Sequence, residues 1–299
     1  MTPARKTLLK RLMKIGVAAA LLAGLYTAAD WRSVGRVLAS LDAGYLMAGL
    51  LLFVPQTLVS AIRWRRLVSP LAAISLGEAV RQTLAASALN LVVPSKLGEL
   101  SKAAMLPLAS AGDRARAGGL ALLEKAADVA ALALLWAGGW LAIDGLTLCG
   151  VLLTLVAAAR WTRLRASSGC SLAAFSLVLW TLHLLQIDCF LKAAGVFAPW
   201  SEAASRVPAA IFAGLLPISF CGIGTRDSAL IWLFSDLAPA SVMAAVGALT
   251  ALRYLVPGAA GIPLVLAAAP RRSEPARFSS HQRSGKLGLF GRWHGRPRP

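Results

Sequence analysis

From Ala43 to Ile62 the chain carries no charged side chain, and the run ends abruptly on Arg63-Trp64-Arg65-Arg66. Such a run constrains the fold more than any other feature. A helix needs roughly 20 apolar residues to cross the hydrocarbon of a bilayer, and basic residues gather at the ends of such crossings. Comparable runs recur at Ile15–Ala29, Gly118–Gly139, Leu141–Ala159, Leu172–Leu191 and Ala240–Ala269. In lipid each backbone N–H and C=O must find its partner inside the segment, which leaves the α-helix as the spanning element. The expected fold class is therefore all-α, a polytopic helical membrane protein. Composition agrees: 58% of residues are hydrophobic, 15% are charged, and mean hydropathy is +0.68. A soluble domain carries about 25% charged residues.

The net charge of +18 would suit nucleic acid, but the bases sit at the ends of apolar runs and in the C-terminal tail. No nucleic-acid motif accompanies them, so nucleic acid is not an expected partner. Cys149, Cys170, Cys189 and Cys221 are isolated and fall in or beside apolar runs. No metal spacing is present, and neither a metal nor a cofactor is expected. The N-terminal run after Arg5, Lys6, Lys10, Arg11 and Lys14 has the outline of a signal peptide. Its small-residue site, Thr27-Ala28-Ala29, is poor, so it reads as a retained first span. Trp31 to Asp42 has the spacing of a short interfacial helix.

Two apolar segments are interrupted by a similar polar insert. The first, within Leu76–Leu108, holds Asn90, Pro94, Lys96, Gly98, Glu99 and Lys102. The second, within Val207–Leu237, holds Pro217, Ser219, Gly222, Gly224, Arg226 and Asp227. Proline and glycine break a helix, and the freed backbone groups must then face protein or water. Paired broken segments in the two halves of a membrane protein point to a site for something transported. The basic flanks place both ends of the first element inside and both ends of the second outside. That bookkeeping gives six full crossings, two opposed re-entrant elements in an inverted repeat, and both termini in the cytoplasm. Residues 1–270 form the membrane domain, and 271–299 form a basic cytoplasmic tail expected to be disordered.

Ionisable residues inside such segments are costly and mark cavities or partners. Asn90, Lys96, Gly98, Glu99, Glu124, Lys125, Asp128, Pro217, Gly222, Gly224, Arg226, Asp227 and Arg253 are the candidates for a headgroup cavity. Glu124 and Asp128, four apart, share a helix face and call for a cation. Arg226 and Arg253 offer planar forks that match phosphate oxygens. Each has a plainer reading: Glu124 and Lys125 at an interface, and Arg226 with Asp227 as a structural pair. His183 reads as a bundle histidine, and Asp188 pairs with Lys192 four residues on.

Together these motifs resemble the lysylphosphatidylglycerol synthase transmembrane region family, the flippase-like membrane module of the bacterial multiple peptide resistance factor and its stand-alone relatives. The resemblance runs from about Ala18 to Leu266. It rests on Arg63-Trp64-Arg65, on Asn90, Pro94, Gly98 and Glu99, and on Glu124, Lys125 and Asp128, where lysine replaces the usual arginine. It rests too on Pro217-Ile218-Ser219, Gly222-Ile223-Gly224, Arg226 and Asp227, where aspartate replaces glutamate. The resemblance implies a multi-pass protein of the bacterial inner membrane that translocates, or helps to translocate, a lipid with an aminoacyl, glycosyl or similar headgroup. It also implies a separately encoded lipid-modifying enzyme as partner. The two replacements prevent headgroup preference from being carried over. About thirty residues follow the last span, too few for a transferase domain, so the chain itself is not expected to aminoacylate lipid. Two other classes stay open: an intramembrane transferase using Glu99, Glu124, Asp128 and Asp227, and a non-catalytic subunit of a lipid or envelope biosynthesis system. No nucleophile–base pair stands out, and no catalytic residue is assigned.

Overall fold

The computed structural model describes residues 31–91, 98–141, 168–215 and 224–268, and all regular structure among them is helical. The expected spans at Ile15–Ala29 and Leu141–Ala159, the tail, and Lys96, Pro217 and Gly222 lie outside the described residues. The chain divides into two units, Met1–Ala267 and Ala268–Pro299, and the helices below belong to the first.

Helix α1 (Trp31–Ala39) falls within the segment Trp31–Asp42, where a short helix is expected. Helices α2 (Ala43–Leu51) and α3 (Phe53–Val68) make one apolar path of 26 residues, broken at Leu52. The break has a local cause. Pro55 has no N–H to give the carbonyl of Leu51, and its ring crowds that carbonyl. Asp42 starts the path by accepting the Tyr45 N–H at 3.0 Å, a side-chain cap of the kind aspartate favours. Helix α4 (Leu76–Asn90) is capped by Ser75, which accepts from Glu78 N at 3.1 Å. Beyond the first break come a 3₁₀ turn at residues 98–100 and the short α5 (Ser101–Ala104).

Helix α6 (Ala111–Trp140) has 30 residues, about 45 Å at 1.5 Å per residue. Its buried stripe changes character along its length. Ala117 and Ala121 join one apolar cluster with Trp64, Leu67, Ala79, Ala103 and Leu106. Ala131, Leu132 and Leu135 join another with Leu184, Leu191, Val207, Phe234 and Met243. Between the two clusters lie Glu124 and Asp128, 0% and 6% exposed. Helix α7 (Ser168–Ala193) follows, then α8 (Trp200–Leu215) and α9 (Thr225–Leu233) on either side of the second break, and α10 (Ala240–Ala268).

Among the described residues, Ala43–Val68, Ser171–Ala193 and Ala240–Ala267 are helices long and apolar enough to cross a membrane. Helix α6 is as long, but it carries Glu124, Lys125 and Asp128 in its middle. Glycines set the closest helix crossings. A Cβ on Gly49 of α2 would lie 2.7 Å from the Phe190 ring of α7, and one on Gly139 of α6 would lie 2.4 Å from Ser205 N of α8. At Gly261 of α10 it would lie 1.9 Å from the Leu84 carbonyl oxygen of α4. These contacts tie the first broken element to the last long helix.

Each broken element brings its two ends together. Ile74, before α4, shares an apolar cluster with Leu106 and Leu108, beyond α5. Arg206 of α8 grips Asp236, beyond α9, through Nη1 and Nη2 at 2.6 and 2.9 Å. Hydrogen bonds from that guanidinium hold the Asp236 carboxyl below its usual range.

Candidate functional site

Arg63 stands where the sequence placed a flank, but its side chain is 2% exposed. Its Nε and Nη2 donate to Glu124 Oε1 at 3.0 and 2.8 Å, and its Nη1 donates to Asp128 Oδ1 at 2.5 Å and to Ser176 Oγ of α7 at 2.7 Å. The four-residue spacing of the two acids lets one planar fork serve both. The other oxygen of Glu124 accepts from Lys102 Nζ at 2.7 Å. Lys102 lies 3.8 Å from Glu99, Glu99 lies 2.5 Å from Lys125, and Lys125 lies 3.2 Å from Asp128. The contacts therefore close on themselves, in the order Arg63, Glu124, Lys102, Glu99, Lys125, Asp128. Three bases and three acids alternate in a ring.

The ring joins α3, the chain beyond the first break, and α6. Burying a charge is tolerable only when it is paired and hydrogen-bonded, and here each member has two partners of opposite sign. Trp64 braces the ring. Its indole lies 5.0 Å beneath Lys102 Nζ, and its Nε1 donates to Gln82 Oε1 of α4 at 2.8 Å. Gly98 lets the chain reach this place, because a Cβ there would sit 2.6 Å from the backbone nitrogen of Asn90. Only a residue without a Cβ permits that approach.

Beside the ring is a cavity of about 230 Å³. Glu99, Lys125 and Asp128 form part of one wall, with Asn90 at the end of α4, and Glu124 lies behind them. Gly214 and Leu215 come from α8, just before the second break, and Trp180 and His183 from α7. Opposite are Arg253 and Tyr254 of α10. Arg253 is 4% exposed, with its guanidinium carbon 4.7 Å from the Tyr254 ring centre and its Nη2 bonded to the Tyr254 hydroxyl. Among the described residues its Nε and Nη1 meet no hydrogen-bond partner.

Arg226 and Asp227 lie elsewhere. Arg226 donates from Nε and Nη2 to Asp227 Oδ1 at 2.9 and 2.6 Å, and from Nη2 to the Gly247 carbonyl at 3.1 Å. Asp227 Oδ2 accepts the Gly224 N–H at 3.3 Å, and Gly224 has φ +95°, a conformation glycine adopts without strain. The pair starts α9 and seats it against α10, and neither side chain lines the cavity. Asp188 and Lys192 pair at 2.8 Å as their spacing implies.

The family model for the lysylphosphatidylglycerol synthase TM region matches residues 11–162, the half of the chain that holds the whole ring. The chain belongs to this family. No curated protein matches it. In this lysylphosphatidylglycerol synthase TM region protein, the Arg63-Trp64-Arg65 motif acts from inside the bundle, with Arg63 on the acids and Trp64 under Lys102. Membership ties the chain to membrane-lipid modification.

Lys102 entered only as part of the first polar insert, and sequence reasoning missed Arg63 altogether as a member of the site. A signal for it existed. Gln56, Ser60 and Arg63 are spaced i, i+4, i+7, a polar stripe on one face of α3, and all three line the cavity. The flanking bases at Arg65 and Arg66 masked it. Glu124 is fully buried, so its interface reading fails because the side chain reaches no solvent.

Proposed function

We propose that this protein is a flippase-like membrane protein that translocates, or helps to translocate, a lipid with a modified headgroup. One observation carries the reading: the cavity draws its walls from both broken elements and holds ionised side chains within a bundle of apolar helices. A polar chamber of this kind lowers the cost of moving a charged headgroup through hydrocarbon. The reading includes six crossings, opposed re-entrant elements, placement in the inner membrane with cytoplasmic termini, and a separate lipid-modifying enzyme as partner. The intramembrane-transferase reading gains less support, since Glu99, Glu124 and Asp128 are each held by two bases and are thereby poorly placed to exchange protons.

Ser60 lines the cavity and is half-buried. Ser60→Phe fills that space without removing a ring charge. In vesicles containing the protein, transfer of fluorescent lipid between leaflets should fall at least tenfold, with protein yield and melting temperature retained. Transfer at the wild-type rate in a folded Ser60→Phe protein would place the path outside this cavity.

A further inference from the structure

Resting on the transport reading, we infer that the cavity takes a phosphate-ester lipid whose headgroup bears no net positive charge, with the phosphate on Arg253. A cationic aminoacyl lipid is the poorer ligand. The argument is one of charge balance. Arg63, Lys102, Lys125 and Arg253 are the lysines and arginines lining the cavity, with His183 of α7 beside them. Glu99, Glu124 and Asp128 answer the first three within the ring. Arg253 has no carboxylate partner among the described residues, and two of its nitrogens lack any acceptor there. The two break sequences carry no carboxylate, since 92–97 reads Val-Val-Pro-Ser-Lys-Leu and 216–223 reads Leu-Pro-Ile-Ser-Phe-Cys-Gly-Ile; the carboxylates outside the described residues are Asp30, Asp144 and Glu274.

A buried guanidinium without a counter-charge is costly. Its planar fork fits phosphate oxygens, with which it makes short charge-assisted hydrogen bonds. A cationic headgroup meets the opposite situation. Glu99, the most open acid of the ring at 25% side-chain exposure, is already held by Lys125 at 2.5 Å and Lys102 at 3.8 Å. An incoming ammonium would have to displace a lysine and would add positive charge beside Arg253. Much of the remaining polar wall is hydroxyl and amide. Thr57, Ser60, Ser87 and Asn90 line the cavity and offer the hydroxyl and amide groups that suit a polyol or sugar. At about 230 Å³ the space is below the roughly 300–1,000 Å³ typical of a drug-sized ligand. It accommodates a headgroup, with the acyl chains left outside.

The test is binding by the purified full chain in neutral detergent, read by native mass spectrometry with phosphatidylglycerol, lysylphosphatidylglycerol and free glycerol phosphate as probes. Phosphatidylglycerol should bind at least about tenfold more tightly than its lysyl ester. Arg253→Gln should weaken phosphatidylglycerol binding by about tenfold or more, the scale of one or two hydrogen bonds to a charged group. Arg81→Gln, which removes an exposed charge that pairs with Glu78 and does not line the cavity (67% exposed), should leave binding unchanged. The melting temperature of ligand-free Arg253→Gln should hold or rise, since an uncompensated charge is removed. A fall would make Arg253 structural and overturn the assignment, as would equal binding of the two lipids or unaltered binding by Arg253→Gln. Glycerol phosphate binding as tightly as the lipid would overturn the lipid in favour of a soluble phosphate ester. Binding has no sidedness, so a protein that binds as stated yet moves no lipid fails the transport reading alone. One that moves lysyl lipid independently of Arg253 fails only this inference.

Discussion

Arg63→Met removes the ring's only guanidinium, which joins Glu124 to Asp128. The loss follows from the contacts. Glu124 Oε1 gives up N–H donors at 3.0 and 2.8 Å, Asp128 Oδ1 gives up one at 2.5 Å, and Ser176 gives up its donor at 2.7 Å. Three acids then face two lysines. Breaking a buried ion pair from one side costs about 3–5 kcal/mol. The full sum of the lost bonds is not reached, because Glu124 keeps Lys102 and Asp128 keeps Lys125. Adding Glu124→Gln restores two acids against two bases, so the double variant should be more stable than the two single losses predict by at least about 1.5 kcal/mol, within the range for coupled neighbours. The assay is equilibrium unfolding in mixed micelles by titration with a denaturing detergent. A loss under about 1 kcal/mol for Arg63→Met, the scale of an exposed pair, would refute the ring. So would additivity of the two substitutions to within about 0.5 kcal/mol.

Gly261→Ala should destabilise the α4–α10 crossing by about 1–3 kcal/mol or more through overpacking, since the new Cβ would sit 1.9 Å from the Leu84 carbonyl. Gly35→Ala on α1, with nothing within 4 Å, should be neutral or slightly stabilising, and the same unfolding assay compares them. Arg226→Lys keeps the charge but loses the forked grip on Asp227 and Gly247. It should lower stability while lipid transfer between leaflets continues near the wild-type rate at matched protein levels. In a variant without native cysteines, an impermeant thiol reagent applied to intact cells should label Ser201→Cys and spare Ser284→Cys. The reverse pattern would invert the topology.

The membrane class, the helical class and the two breaks were legible in the chain itself. Uncharged runs of this length have one solvent in which they are stable, and proline with glycine amid polar residues disfavours a continuous helix, although α10 runs through Pro257, Gly258 and Pro263. Local rules carried as far as local contacts: the Asp188–Lys192 pair and the shared face of Glu124 and Asp128 each lie within four residues. What the tertiary structure decided is which charges meet. Arg63 is 61 residues from Glu124 and 113 from Ser176, and no spacing rule reaches that far. The same holds for the contrast between two arginines of similar promise. Arg226 finds its carboxylate in the next residue, whereas Arg253 stands at the cavity with none among the described residues. In sequence both offered the same planar fork for a phosphate, and only Arg226 had an acid beside it. The role of a guanidinium depends on where packing leaves the nearest counter-charge, and packing is a property of the assembled helices.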